Sequence, residues 1–281
     1  MTDRSIDDLL IELRSLANGK LESPTELAGI LIAQIYDQDK TWVLTHTDAK
    51  IDDPTIERIK ALWFRLLSGE PLPYITGIQA FYGLDFEVSP GVLIPRPETE
   101  LLVEVAQDWL QEHPDCRHAT DIGTGSGNIA VCLADEFPDL RVHAIDISPK
   151  ALRIAQVNAK KHKVSKQISF QLADLRKMGK QKFDLVCANL PYIPSTKLAE
   201  VNSIEFESKL ALDGGPSGLD LIQRLLSQLP SRLNTPGLAL LEIEETLGKR
   251  CLSLATSIFP KERVELMQDL AGKDRLLVIE R

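Results

Sequence analysis

Asn189-Leu190-Pro191-Tyr192 follows directly on the apolar run 183–188. These residue types suit one kind of chemistry. A planar amide or aromatic-amine nitrogen has a delocalised lone pair, so it attacks an electrophilic methyl group poorly and must be aimed and partly rehybridised. The Asn189 side-chain oxygen and the Leu190 backbone carbonyl can accept its two hydrogens, leaving the lone pair pointed at the methyl donor. Pro191 stiffens the local backbone, and Tyr192 offers a flat face for a planar group. No strong base is needed, because the nitrogen becomes acidic once alkylated, so rate would come from orientation and electrostatic placement. A plain turn after a strand has the same composition, and the motif alone does not separate the two.

A second constellation lies upstream. Asp121-Ile122-Gly123-Thr124-Gly125-Ser126-Gly127 stands where a strand pattern gives way to a helical one. Glycines there allow a sharp turn and a close approach to a ligand. The dinucleotide fingerprint needs its third glycine where Asn128 stands, and the Walker pattern needs Lys followed by Ser or Thr where Asn128-Ile129 stands. The loop is therefore not shaped for a pyrophosphate. Asp146 closes the next strand pattern, where a carboxylate accepts from ribose hydroxyls, and Asp174 closes the third, where it can accept from an adenine amino group. Each Asp alone reads more readily as a helix cap. Together with the glycine loop, at three successive strand ends, they indicate an adenosine-bearing cofactor.

Positioning these groups requires an open α/β sheet. Strand patterns fall at 118–122, 141–145, 168–172, 183–188, 238–243, 262–267 and 275–279, with helical segments between most of them. The last two are separated by a loop too short for a crossover helix. This predicts a doubly wound, mostly parallel, seven-stranded sheet ending in one antiparallel strand. Strand order reverses between the first and fourth strands of such a sheet, and ligands sit at that point, so Asn189 and the glycine loop should face one cleft. Residues 1–72 carry no strand signal and read as a small helical bundle: Ile6, Leu9, Leu10, Leu13 and Leu16 share a face, Ser23-Pro24-Thr25-Glu26 reads as a capping box, and Asp53-Pro54 opens a further helix. Residues 73–95, with Phe81-Tyr82-Gly83-Leu84 and Pro90-Gly91, read as a β-hairpin linker, and 96–281 as the catalytic domain.

Composition narrows the partners. The net charge of −9 argues against tight sequence-independent binding to bare nucleic acid, and no direct nucleic-acid binding is expected. Cys116, Cys132, Cys187 and Cys251 form no CxxC pair and no His-rich cluster accompanies them, so buried free thiols and no metal are expected. The acidic N-terminus has no apolar leader pattern and no long apolar run occurs, which points to the cytoplasm. A monomer is the default expectation.

Several further stretches resemble one family, the HemK/PrmC glutamine N5-methyltransferases that modify peptide-chain release factors. Tyr74-Ile75-Thr76-Gly77, Phe81-Tyr82-Gly83-Leu84 and Val92-Leu93-Ile94-Pro95-Arg96-Pro97-Glu98-Thr99-Glu100 match its linker and entry segment. Ala211-Leu212-Asp213-Gly214-Gly215, Leu241-Glu242-Ile243 and the segment from Asp269 to Arg275 match later landmarks. The Pro-Arg-Pro-Glu-Thr-Glu segment is the most specific, although it also reads as simple helix initiation. The resemblance implies a class I S-adenosylmethionine-dependent methyltransferase fold, with S-adenosylmethionine as methyl donor and S-adenosylhomocysteine as product. It implies that Gly123, Thr124, Gly125, Ser126, Gly127, Asp146, Leu175 and Asn189 contact the cofactor, which with Asp121 and Asp174 from the reading above makes up the expected cofactor site. It implies that Asn189, Leu190, Pro191 and Tyr192 hold the glutamine of a Gly-Gly-Gln loop, and that the helical bundle docks the release factor. Such an enzyme supports translation termination.

Four departures are visible. Leu190 stands where the family usually has Pro, and only its carbonyl is expected to matter. Ser208 replaces a Pro, and Glu244 and Leu247 replace a Gly and a Gln; all three are expected away from the catalytic contacts. Competing readings are a ribosomal-protein glutamine methyltransferase, an adenine-N6 nucleic-acid methyltransferase, and a non-catalytic cofactor-binding regulator. The linker and bundle favour the release factor over the first. The second would need a basic groove, and intact Asn189 and Tyr192 argue against the third.

Overall fold

The computed structural model describes residues 4–175, 179–200 and 205–281. The chain divides into two compact units, one ending at Gly77 and one from Ile78 to Arg281. The first unit is helical: α1 (Ile6–Ala17), α2 (Pro24–Tyr36), α3 (Lys40–Thr45), α4 (Asp53–Leu67) and the short α5 (Leu72–Thr76). Ile6, Leu9, Leu10 and Leu13 of α1 are buried against Leu31, Ile32, Ile59 and Trp63. That contiguous apolar stripe, more than local propensity, holds so small a bundle together.

Two local expectations change here. The capping box forms at α1, where Ser5 Oγ accepts from Asp8 N at 3.1 Å and the Asp8 carboxylate accepts from Ser5 N at 2.9 Å. Ser23 does precede α2, but its side chain makes no cap bond, because its backbone (φ −130°, ψ 62°) departs from the extended cap conformation. Glu26 pairs instead with Lys40 at 2.6 Å. Residues 73–76, expected as the start of the hairpin linker, instead complete α5 (Leu72–Thr76), with Pro73 in its first turn and Gly77 closing it at φ 78°.

The second unit opens with the hairpin β1 (Ile78–Phe81) and β2 (Leu84–Glu87). Its turn residues Tyr82 and Gly83 both take positive φ, 48° and 75°, the signature of the tight turn whose twist matches paired strands. Tyr82 is held in that unfavoured conformation by its N–H donating to Glu100 at 2.8 Å and its hydroxyl donating to Gln107 at 3.0 Å. Phe81 and Phe86 are buried in the same core as the main sheet.

That sheet comprises β3 (His118–Ile122), β4 (Arg141–Asp146), β5 (Ile168–Leu172), β6 (Phe183–Ala188), β7 (Leu233–Glu242), β8 (Arg263–Gln268) and β9 (Asp274–Glu280). Its order is β5-β4-β3-β6-β7-β9-β8, parallel except for β9, which runs antiparallel to both neighbours. The helices are α6 (Glu100–Glu112), α7 (Asn128–Glu136), α8 (Pro149–Lys161), the short α9 (Lys209–Leu212), α10 (Asp220–Gln228) and α11 (Gly248–Ile258). Alternation along the strands feeds two cores. Leu185 and Cys187 of β6 meet the side covered by α6 and α7, and Val186 and Ala188 meet the side covered by α10 and α11. β7 begins at Leu233, earlier than its apolar pattern suggests. The extra residues around Pro236-Gly237 are absorbed by a register shift against β6, between Phe183 and Leu185. All four cysteines are buried and unpaired, and no helix among the described residues is long and apolar enough to cross a membrane.

Candidate active site

β3 and β6 are neighbours with their connections running to opposite sides, and Ile122 pairs in register with Ala188. The residues that follow, Gly123 and Asn189, therefore leave the sheet side by side at its switch point. A cavity of about 690 Å³ opens there. Gly123, Gly125, Asp146, Asp174, Leu175, Asn189, Leu190 and Pro191 all line it.

The glycine loop is built almost wholly from backbone. Gly123 N and Thr124 N donate to Ile145 O at 2.8 and 3.0 Å, and Gly127 N donates to Thr124 O at 2.7 Å. Gly123, Gly125 and Gly127 have φ of 77°, 56° and 81°, where a side chain is strained. Space is a second constraint at two of them: a Cβ on Gly123 would lie 3.1 Å from Leu190 Cδ2, and one on Gly127 would lie 2.9 Å from Ala155 Cβ. Asp146 bridges loop and strand, accepting from Gly125 N at 2.9 Å and Ser148 N at 2.8 Å. Burial raises its pKa, with these backbone donors opposing the rise.

Four of the expected cofactor residues do not line the cavity. Asp121, Thr124 and Ser126 are buried behind the loop. Asp121 Oδ2 accepts from Thr124 Oγ1 at 2.6 Å and Ala130 N at 3.3 Å, which splints the turn to α7. Its Oδ1 has no partner among the described residues, and burial pushes its pKa up to about 7. Gly127 is the cap residue of α7, packed against α8. These contacts give the loop its shape.

Tyr192 is likewise absent from the cavity wall. Its ring packs against the apolar core on the α10 and α11 side, and burial raises its pKa, in the field of Glu242, Arg275, Arg96 and Glu98. The loop after α9 clamps this segment. Ile193 N donates to Leu212 O at 3.1 Å and Gly214 N to Ile193 O at 2.9 Å, and a Cβ on Gly214 would meet Tyr192 Cα at 2.7 Å. The glycines in Asp213-Gly214-Gly215 are thus explained by close backbone approach.

Asn189 is fixed from behind. Its Nδ2 donates to Thr99 Oγ1 at 3.0 Å, and Thr99 Oγ1 donates to Glu242 Oε2 at 2.6 Å. Thr99 and Glu242 are both 1% exposed. Burial raises Glu242 to about 7, with the Thr99 hydrogen bond and Arg275 opposing and Glu98 adding to the rise. Neither residue stood out by spacing. The available signal was an acid closing an otherwise apolar central strand, Ala239-Leu240-Leu241-Glu242.

Other residues on the cavity wall were given no place in the site by the sequence: Gly91, Val92, Leu93, Ile147, Lys209 and Arg224. Ser208 also lines the cavity, where its Oγ caps α9 by accepting from Leu210 N at 3.2 Å. Glu244 caps a short turn and Leu247 is buried in the core. The Leu190 side chain is also more than a carrier for its carbonyl, being buried at 5% exposure in the core beneath Gly123.

Comparison with known proteins decides the family. Residues 9–77 match the PrmC N-terminal domain and 116–231 a methyltransferase domain. A release factor glutamine methyltransferase from Moorella thermoacetica is 37% identical over 94% of this chain and 93% of its own length. Those from Koribacter versatilis and Bacillus cereus are 39% and 33% identical, covering 82% and 94% of this chain and 83% and 94% of their own. The chain belongs to the release factor glutamine methyltransferase family. Its sheet is that of the class I methyltransferases, a wider likeness seen in solved structures. The ribosomal protein L11 methylase from Lactobacillus delbrueckii subsp. bulgaricus shares 21% identity, with a TM-score of 0.51 over 72% of this chain and 89% of that one. The 16S rRNA N2 G1207 methyltransferase from T. thermophilus shares 17%, with a TM-score of 0.54 over 73% and 49%. At such identities the likeness is one of fold, and the release factor family membership rests on the sequence relatives.

Proposed function

We propose that this chain transfers a methyl group from S-adenosylmethionine to the side-chain amide nitrogen, N5, of the glutamine in the Gly-Gly-Gln loop of peptide-chain release factors. The observation that carries the reading is the fixed Asn189 carboxamide beside the glycine loop: with Nδ2 held by Thr99, its oxygen is left to accept a hydrogen from a planar nitrogen. The named relatives make a release factor the substrate that fits best.

The cavity suits the cofactor. Gly123 and Gly125 leave room that a Cβ would fill or strain would forbid. Asp146 would take the ribose hydroxyls and Asp174 the adenine amino group, with Leu175 and the half-exposed Ile147 as apolar walls. When bound, S-adenosylmethionine supplies an electrophilic methyl group on a positively charged sulfur. The chain's own residues do the rest. Asn189 Oδ1 and the Leu190 carbonyl accept the two amide hydrogens and turn the nitrogen lone pair into the cleft. Pro191 holds that backbone, and Tyr192 supports it from behind. The helical unit would dock the release factor, and the protein would act as a cytoplasmic monomer with no direct hold on nucleic acid.

The test is partition of label. The protein is incubated with methyl-labelled S-adenosylmethionine and purified release factor, ribosomal protein or DNA. Label should enter the release factor alone and vanish when its loop glutamine is replaced. Label in DNA or ribosomal protein would sink the proposal.

A further inference from the structure

We infer that Thr99 and Glu242 are positioning residues, which together determine which end of the Asn189 carboxamide is turned to the substrate. The inference rests on the proposed amide-holding role of Asn189 and adds the residues that enforce it.

The argument is a proton count. Thr99 has one hydroxyl hydrogen. At 2.6 Å from a buried carboxylate oxygen, that hydrogen goes to Glu242. The Thr99 oxygen can then only accept, and the group facing it at 3.0 Å is the Asn189 side chain. An accepting oxygen requires the amide NH2 end there, so Asn189 Oδ1 is left for the cleft. The opposite flip would set Oδ1 against the Thr99 oxygen and turn two N–H donors towards a substrate that itself presents N–H groups. Both Thr99 and Glu242 are buried, so water does not compete for these partners.

The same count makes the device sensitive to protonation. A neutral Glu242 can donate to Thr99, freeing the hydroxyl hydrogen for Asn189 Oδ1 and favouring the wrong flip. The groups facing Glu242 are Thr99 and Glu98 from the turn before α6, Asn189 and Tyr192 from the segment after β6, and Arg275 from β9. Arg275 is anchored by Asp269 at 2.9 Å and favours the charged form. Burial opposes it and places the transition at about 7. Turnover should therefore fall as pH drops through that value.

Thr99→Val, which keeps shape and removes the hydroxyl, is expected to lower kcat about 10- to 100-fold, the range for losing a hydrogen bond to a charged group. Cofactor Kd should stay within about twofold, and Thr99→Ser should recover most of kcat. Glu242→Gln keeps an acceptor for Thr99 but cannot titrate, so the acid limb of its kcat profile should disappear. Wild-type kcat in Thr99→Val, equal losses in the Ser and Val variants, or an unchanged acid limb in Glu242→Gln would each overturn the inference. A readout on the unsubstituted protein covers variants that fail to fold. One Asn189 side-chain amide proton should show slow exchange, a nuclear Overhauser contact to the Thr99 methyl group, and a shift with pH near 7; absence of that contact overturns it. Should the wild type label a different acceptor, the substrate reading fails, while the same kcat ratios measured on that acceptor still decide the positioning role.

Discussion

The two segments that leave the sheet at its switch point are held in opposite ways. The loop after β3 is shaped by its own backbone: three left-handed glycines, hydrogen bonds to Ile145 and Asp146, and Asp121 beneath it. The segment after β6 is shaped by distant residues: Thr99 before α6, Glu242 at the end of β7, and the glycine loop after α9 pressing on Tyr192. One is a local device for a ligand that many enzymes share. The other takes its orientation from tertiary contacts, as would suit the group proposed to hold the acceptor.

Substitutions should separate the two. Asn189→Ala is expected to cut turnover by roughly 10³-fold, the scale seen when an orienting or oxyanion-type group is lost, with cofactor binding weakened but measurable by calorimetry. Equal loss of both would merge the segments into one functional unit. Gly127→Val should do the reverse, costing about 100-fold in cofactor affinity, because its φ of 81° and the 2.9 Å approach of Ala155 combine strain with overcrowding. Cofactor affinity close to wild type there would mean that the loop tolerates reshaping.

Stability offers a finer contrast. Burial raises Asp121 to about 7, well above its unfolded value, so its neutral form is fully accommodated at acid pH. The stability it contributes is lost as pH rises through about 7, by at most roughly 4 kcal/mol. Asp121→Asn should therefore gain in Tm relative to wild type at pH 8.5 compared with pH 5. A difference independent of pH would show that Asp121 does not titrate there. The smallest effect expected is that of Leu190→Ala, about 2 kcal/mol of stability from the emptied core site beneath Gly123, read by denaturant unfolding.

These contrasts also explain what the sequence discloses. The seven strands, the switch point and the positions of Gly123, Asp146 and Asn189 follow from patterns local in the chain: apolar periodicity, glycines in a row, acids at strand ends. Thr99 and Glu242 do not, since their meaning arises only when the start of α6 and the end of β7 converge on Asn189. Tyr192 was read as a stacking face from its chemistry, and its partial burial against the core on the α10 and α11 side is a tertiary feature that composition does not specify. The capping box at Ser23 failed for a similar reason, a backbone conformation that the composition does not specify. Leu190 carries a side chain whose burial could be seen only with Gly123 in place above it.

The most direct test of the central claim is site-resolved mass spectrometry of a purified release factor after incubation with the protein and S-adenosylmethionine. A single methyl group on the N5 nitrogen of the Gly-Gly-Gln glutamine, absent with Asn189→Ala, is the expected result. Methylation at any other residue, or an equal yield from the Asn189→Ala protein, would contradict it.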